Sequence, residues 1–178
     1  MILILVFYFA LASAGESVGP LGSNVAWREL RHNANAAEDS GHFQAAEQYY
    51  LQAIQAAVDG GDPSGQFVVA EQLGQLYWKM DKVPASLTYL RMAVTVLRHD
   101  FPAESEQKGT ALSNLGLVLS DTGSLNEAEE NLSEALRIFQ SLDSHEKLAA
   151  TYDALALVEI CRGNTPSPKN TRKHRWRS

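Results

Sequence analysis

A turn signal returns every 40 or 42 residues and carries its hydrophobic surroundings with it, and this period constrains the fold more than any other property. Ser40-Gly41, Met80-Asp81, Thr122-Gly123 and Arg162-Gly163 hold equivalent places, with steps of 40, 42 and 40 residues. Before each turn, Asn33-Ala34, Leu73-Gly74, Leu115-Gly116 and Leu155-Ala156 stand at one common offset. After the first three turns come Phe43, Val83 and Leu125, then Ala46, Ser86 and Ala128. Tyr50, Leu90 and Leu132 follow, and then Ala53-Ile54, Ala93-Val94 and Ala135-Leu136. A period in this range describes a stack of supersecondary units, each unable to bury its apolar face alone.

The stretches "LGQLYWKMDKVPASLTYLRMAV" (73–94) and "LGLVLSDTGSLNEAEENLSEAL" (115–136) resemble the tetratricopeptide repeat; "SGHFQAAEQYYLQAI" (40–54) matches in its second half. That family places a small residue between two antiparallel helices, turns at Gly, and continues with Ala-x-x-x-aromatic or aliphatic-x-x-Ala. Its usual unit is about 34 residues, so the spacing here is similar to the longer units of kinesin light chain. Pro63 and Pro102 stand where a proline opens the next unit in that type. The resemblance implies an all-α fold, a right-handed α-solenoid of antiparallel hairpins. It covers about residues 25–163 and about three and a half repeats: 25–60, 63–101, 103–142 and a partial unit at 145–163.

Periodicity and capping signals predict seven helices at about 25–40, 43–59, 63–80, 84–100, 103–122, 125–142 and 145–162. Asp62-Pro63 supplies a cap and a first-turn proline, and Pro102 with the acids of "FPAESE" repeats the pattern. Ser144 in "SHEK" is a third cap. Leu112, Leu115, Gly116 and Leu119 recur at three and four and form one stripe. The facing stripe is Leu125, Ala128, Leu132, Ala135 and Leu136, with Gly116 and Ala128 near the crossing. Tyr50, Tyr77, Leu90, Leu115 and Leu132 are expected to be buried. The first unit departs most from the pattern, as terminal repeats do when they cap a stack.

The two ends differ from the body. Ile2 to Leu11 is an unbroken apolar run followed by Ala12-Ser13-Ala14, which reads as a leader over 1–14 ahead of a linker over 15–24. It is too short to span a bilayer. No Lys or Arg precedes it, so two readings stand: a secretory signal, or translation from a misplaced start in an intracellular protein. Residues 164–178 hold Lys169, Arg172, Lys173, Arg175 and Arg177 with no acid, and Pro166 and Pro168 forbid a regular helix there. This stretch reads as a disordered basic tail. The whole chain carries a net charge of -6, so without those five positives the rest stands at -11. An acidic body argues against a nucleic-acid surface. Cys161 is the single cysteine, which rules out an internal disulfide.

No chemistry-bearing motif is present. The sequence lacks a Gly-rich phosphate loop, zinc spacing and a nucleophile motif, and His32, His42, His99, His145 and His174 have no partner at ligand spacing. The reading is a protein without enzymatic activity, cofactor or metal. What remains is surface: the resemblance implies that first helices line a concave groove for a protein or peptide. By alignment its residues are Arg31, His32 and Asn35; Glu71, Gln72, Gln75 and Trp78; Ser113, Asn114 and Leu117; and Asp153 and Leu157. Trp78 is expected there as an exposed anchor, since Trp is enriched at binding hot spots. Repeats that grip a chaperone's C-terminal carboxylate need two basic residues on the third helix of this set. Thr110 and Asn114 stand there, so that ligand is not expected.

Three functional readings therefore stand side by side. The first is an interaction scaffold or adaptor working through its concave face. The second is a secreted or membrane-associated structural protein. The third is a fragment of a larger kinesin light chain-like protein. The incomplete fourth unit adds self-association through helix 145–162, whose apolar residues Leu155, Val158, Ile160 and Cys161 have no following helix to cover them.

Overall fold

The computed structural model describes residues 20–101 and 103–163. The apolar leader, Pro102 and the basic tail lie outside them. The described chain forms seven α-helices: α1 (Pro20–Asp39), α2 (Phe43–Asp59), α3 (Pro63–Lys79), α4 (Val83–Asp100), α5 (Glu106–Asp121), α6 (Leu125–Ser141) and α7 (His145–Gly163). There is no strand among the described residues. The hairpins are α1–α2, α3–α4 and α5–α6, and α7 opens a fourth unit by packing on α6 and α5. No helix among the described residues is long and apolar enough to cross a membrane.

Helix boundaries follow the sequence closely, with two corrections. α1 begins at Pro20, so the expected linker over 15–24 is helical from that point. A proline suits the first helical turn, where its missing N–H would have no partner anyway. α5 begins at Glu106 rather than at 103, because Ser105 caps it: its hydroxyl accepts from the Lys108 N–H at 3.2 Å. Asp62 caps α3 as expected, accepting from the Gly65 N–H at 3.2 Å.

Five of the six turns close in the same way. The N–H three residues past the helix end reaches back to a carbonyl five residues earlier: His42 to Ala37, Asp62 to Ala57, Lys82 to Tyr77, Ser124 to Leu119 and Ser144 to Phe139. This closure requires a left-handed residue just before the donor. Gly41, Gly61 and Gly123 fill that place in three turns, and Asp81 and Asp143 adopt it with φ of 61° and 55°. The turn signal of the sequence is this backbone requirement repeated.

Within the second and third hairpins a small residue admits a bulky one from the facing helix. A Cβ on Gly74 would stand 2.7 Å from Leu90 Cγ, and one on Gly116 would stand 2.7 Å from Leu132 Cγ. Gly109 does the same for Phe139, where a Cβ would lie 2.6 Å from the ring. Tyr50, Tyr77, Leu90, Leu115 and Leu132 are all buried in one continuous core. Ser86 occupies the slot that Ala46 and Ala128 fill in the other units. It is fully buried, and its hydroxyl has no hydrogen-bond partner among the described residues. Removing an unmet buried hydroxyl is favourable, so Ser86→Ala is expected to stabilise the protein by about 1 kcal/mol. Thermal unfolding of the two proteins measures it, and a destabilised variant would contradict the assignment.

The stack curves because its two helix sets are spaced differently. First helices approach one another closely: α1 contacts α3, α3 contacts α5, and α5 contacts α7. Second helices stand further apart and are bridged by long charged side chains: Lys82, just ahead of α4, to Glu47, Arg91 to Glu127 and Arg98 to Glu134. First helices therefore line the inner face, and second helices line the outer one.

Candidate functional site

The inner face is a ladder of polar side chains joining each first helix to the next. Gln72 on α3 donates its Nε2 to Asn35 Oδ1 on α1 at 3.1 Å. Asn114 on α5 donates its Nδ2 to Glu71 Oε1 on α3 at 2.9 Å. Ser113 on α5 lies 3.3 Å, hydroxyl to hydroxyl, from Thr151 on α7. Each rung spans neighbouring units, so this face is ordered by the stack and by no single hairpin.

Eleven of the twelve expected groove residues are half-buried or exposed on the first helices. Asn35, Glu71, Gln72, Ser113 and Asn114 are half-buried members of the rungs. Arg31 is half-buried, with its guanidinium 5.6 Å from the centre of the Trp27 ring. Gln75 is half-buried and lines a polar cavity. Leu117 and Leu157 are half-buried, and His32 is exposed on α1. Asp153 is exposed on α7.

Trp78 is the correction. It is only 4% exposed and belongs to the core, so it is no surface anchor. α3 is packed by α1, α2, α4 and α5, and a large apolar ring on such a helix is drawn inward to leave water. The equivalent residue of the next unit, Ser120, is buried as well. Position 78 therefore faces inward in the repeat.

A cavity of about 240 Å³ opens between the first two units, lined by Asn35, Glu38, Asp39, Tyr50, Gln72 and Gln75. The Tyr50 hydroxyl lies 2.6 Å from Asn35 Oδ1 and 2.9 Å from Glu38 Oε2. Burial and the neighbouring Glu38 carboxylate raise the Tyr50 hydroxyl above its ordinary range, so it stays a donor. Glu38 also pairs with Lys79 of α3. Sequence reading placed Tyr50 in the core without its polar end, and it missed Glu38 and Asp39. Both acids lie in the last turn of α1, where the small residues of the neighbouring pattern drew attention instead.

Glu71 on this face carries a perturbed carboxyl. Burial raises its carboxyl, against the opposing effects of the Asn114 hydrogen bond and the Lys147 charge. A raised acid holds its proton to higher pH in the fold than in the unfolded chain. Folding stability then falls as pH rises from the ordinary value near 4.5 through the raised one, and is flat above it. Glu71→Gln keeps an acceptor for Asn114 and removes this decline. The variant is expected to gain stability relative to the parent at pH 7 compared with pH 4, read by urea unfolding at both. An equal difference at the two pH values would reject this.

Among the described residues no group of His, Cys, Asp and Glu could hold a metal ion. Cys161 is half-buried on α7.

Residues 107–167 match the tetratricopeptide repeat family model. No curated protein matches the chain by sequence. Among solved structures, the chain is similar to BtubC (BKLC) from P. vanneervenii, with 19% identity and a TM-score of 0.62; the match covers 80% of this chain and 61% of that one. It is also similar to a putative kinesin light chain from Podosopora anserina with nearly identical TPR-like repeats, at 19% identity and a TM-score of 0.59, covering 78% and 76%. A third is the first TPR of Spaghetti (RPAP3) bound to the HSP90 peptide SRMEEVD, at 19% identity and a TM-score of 0.54, covering 74% and 94%. Residues 107–167 thus carry tetratricopeptide repeats, and the hairpins and turns give the described residues an all-α helical-repeat fold similar to that of these structures.

Proposed function

We propose that the chain is a non-enzymatic scaffold that holds an extended peptide or protein segment along its inner face. The observation that carries this is the polar ladder from Asn35 to Thr151, continuous across four first helices and open at the cavity beside Gln75. Amide and hydroxyl groups held in fixed register suit the alternating donors and acceptors of an extended backbone. A chaperone's acidic C-terminal tail is a poor ligand here, since Thr110 and Asn114 offer no cation for its carboxylate. The test is selection of binding peptides from a random library on the full chain, followed by affinity measurement. His32→Ala with Gln75→Ala should weaken the selected peptides at least about tenfold, and Thr88→Ala on the outer face should not. Equal losses from both would remove the inner face as the binding surface.

A second reading concerns the open face of α7, with self-association as its consequence. Val158 is buried, and Leu155 and Cys161 are half-covered; Ile160 is exposed, as is Tyr152, each at 52%. Ala156 lies between them and is exposed, although its equivalents Ala34, Gly74 and Gly116 are all covered by a second helix. An uncovered large-small-large stripe favours association. Sedimentation at rising concentration should show oligomers that Tyr152→Glu with Ile160→Lys returns to monomer. A parent chain that stays monomeric throughout would exclude it.

A further inference from the structure

One face of α7 is turned away from α5 and α6, the helices it packs on. Glu146, Ala149, Asp153, Ala156 and Ile160 recur along it at steps of three and four, and all are exposed. In the three complete units the place of Ala156 is held by Ala34, Gly74 and Gly116, each buried under a second helix. The face is apolar along its middle. Tyr152 and Ile160 stand one turn to either side of Ala156, and the Tyr152 hydroxyl lies 3.3 Å from Gln140 of α6, so its ring leans that way and leaves Ala156 open. The margins are acidic. Glu146 and Asp153 have no cationic partner among the described residues, and Glu159 shares Arg162 with Glu129 of α6.

The chain carries the complement of this face directly after it. Residues 164–178 hold Lys169, Arg172, Lys173, Arg175 and Arg177, no acid, and a single indole, Trp176. Trp176 stands 13 residues beyond Gly163, a reach of up to about 43 Å, whereas Ala156 lies seven helical residues back, about 10 Å. The segment is thus long enough to return along the whole face.

We propose that residues 164–178 of this chain fold back over the open face of α7, with Trp176 on Ala156 between Tyr152 and Ile160. The cations to either side of the indole meet Glu146, Asp153 and Glu159. The indole supplies most of the attraction, since exposed ion pairs are individually weak. Pro166 and Pro168 keep the segment from becoming a regular helix, so it covers the face as an extended strap where a second helix would otherwise lie. This rests on the open α7 face of the second reading above but gives it an occupant within the same chain, which a second copy must displace.

NMR of the full chain, diluted to monomer, tests it. Nuclear Overhauser contacts are expected from the Trp176 indole to the Ala156 and Ile160 methyls. Isotope-filtered mixtures of two labelled copies should show none between chains. Trp176→Ser should abolish the contacts and shift both methyls, while the methyls of Leu132 in the core stay in place. Glu146→Gln with Asp153→Asn should weaken the contacts. Glu106→Gln with Glu130→Gln, an equal change of charge on α5 and α6, should not. No contact in the monomer, contacts only between copies, or equal weakening by the two pairs of substitutions would overturn the proposal. Oligomers formed at higher concentration do not enter this readout, so the two readings of the α7 face fail separately.

Discussion

Trp27→Ala is expected to destabilise the first hairpin by about 3 to 5 kcal/mol, while the last three helices keep their protection. Trp27 is 4% exposed and is the joint between the first unit and the second. Its ring fills the space left by Gly65, where a Cβ would stand 2.7 Å away. Its indole Nε1 donates to Asp62 Oδ2 at 2.8 Å, and the other oxygen of that carboxylate caps α3. The truncation thus opens a cavity and leaves half of a capping carboxylate without its donor. In a stack where each unit meets only its neighbours, the loss stays local. Hydrogen exchange should show α1 and α2 opening well before α5, α6 and α7. Uniform loss across all seven helices, or a cost under about 1 kcal/mol, would show that Trp27 is not the joint.

Leu132→Ala is expected to cost about 2 to 5 kcal/mol, and a second substitution should recover part of its effect. Leu132 is fully buried and its side chain covers Gly116. In the parent, Gly116→Ala places a Cβ 2.7 Å from Leu132 Cγ and 3.1 Å from the Ala128 carbonyl oxygen. That overpacking costs about 1 to 3 kcal/mol. Once Leu132 is truncated the side-chain clash disappears, and only the backbone contact with Ala128 remains. Gly116→Ala should therefore cost less in the Leu132→Ala background than in the parent, a coupling of about 0.5 kcal/mol or more. Denaturant unfolding of the four proteins measures it. Strict additivity would mean that the two residues do not meet.

The repeat and its core were legible because both are set locally. A left-handed turn residue, a small residue at the crossing and a bulky one facing it fix each hairpin within about 40 residues of sequence. The same alignment placed Tyr50, Leu90 and Leu132 correctly, each opposite the small residue of its own unit. The polar residues were legible only as belonging to one face. Asn114 reads as a free amide that could clamp a ligand, whereas it is joined to Glu71, 43 positions away. Trp78 reads as an exposed aromatic at a groove position, whereas its neighbours enclose it. Val158 reads as an uncovered apolar residue, yet α7 turns it inward and leaves Ile160 exposed together with Tyr152.

By itself the sequence determined the helices, the turns, the pairing of first with second helix, and the core residues Tyr50, Leu90 and Leu132. Those properties follow from periods of three to four residues and from backbone conformations that few residues adopt. Only the tertiary structure decided how one unit sits on the next. That rotation set the rungs Asn35–Gln72, Glu71–Asn114 and Ser113–Thr151, and the enclosure of Trp78. The physical reason is that a helix period specifies which side of a helix is apolar, within about one turn. The angle between stacked hairpins arises instead from the summed fit of many side chains, and no short stretch of sequence contains it.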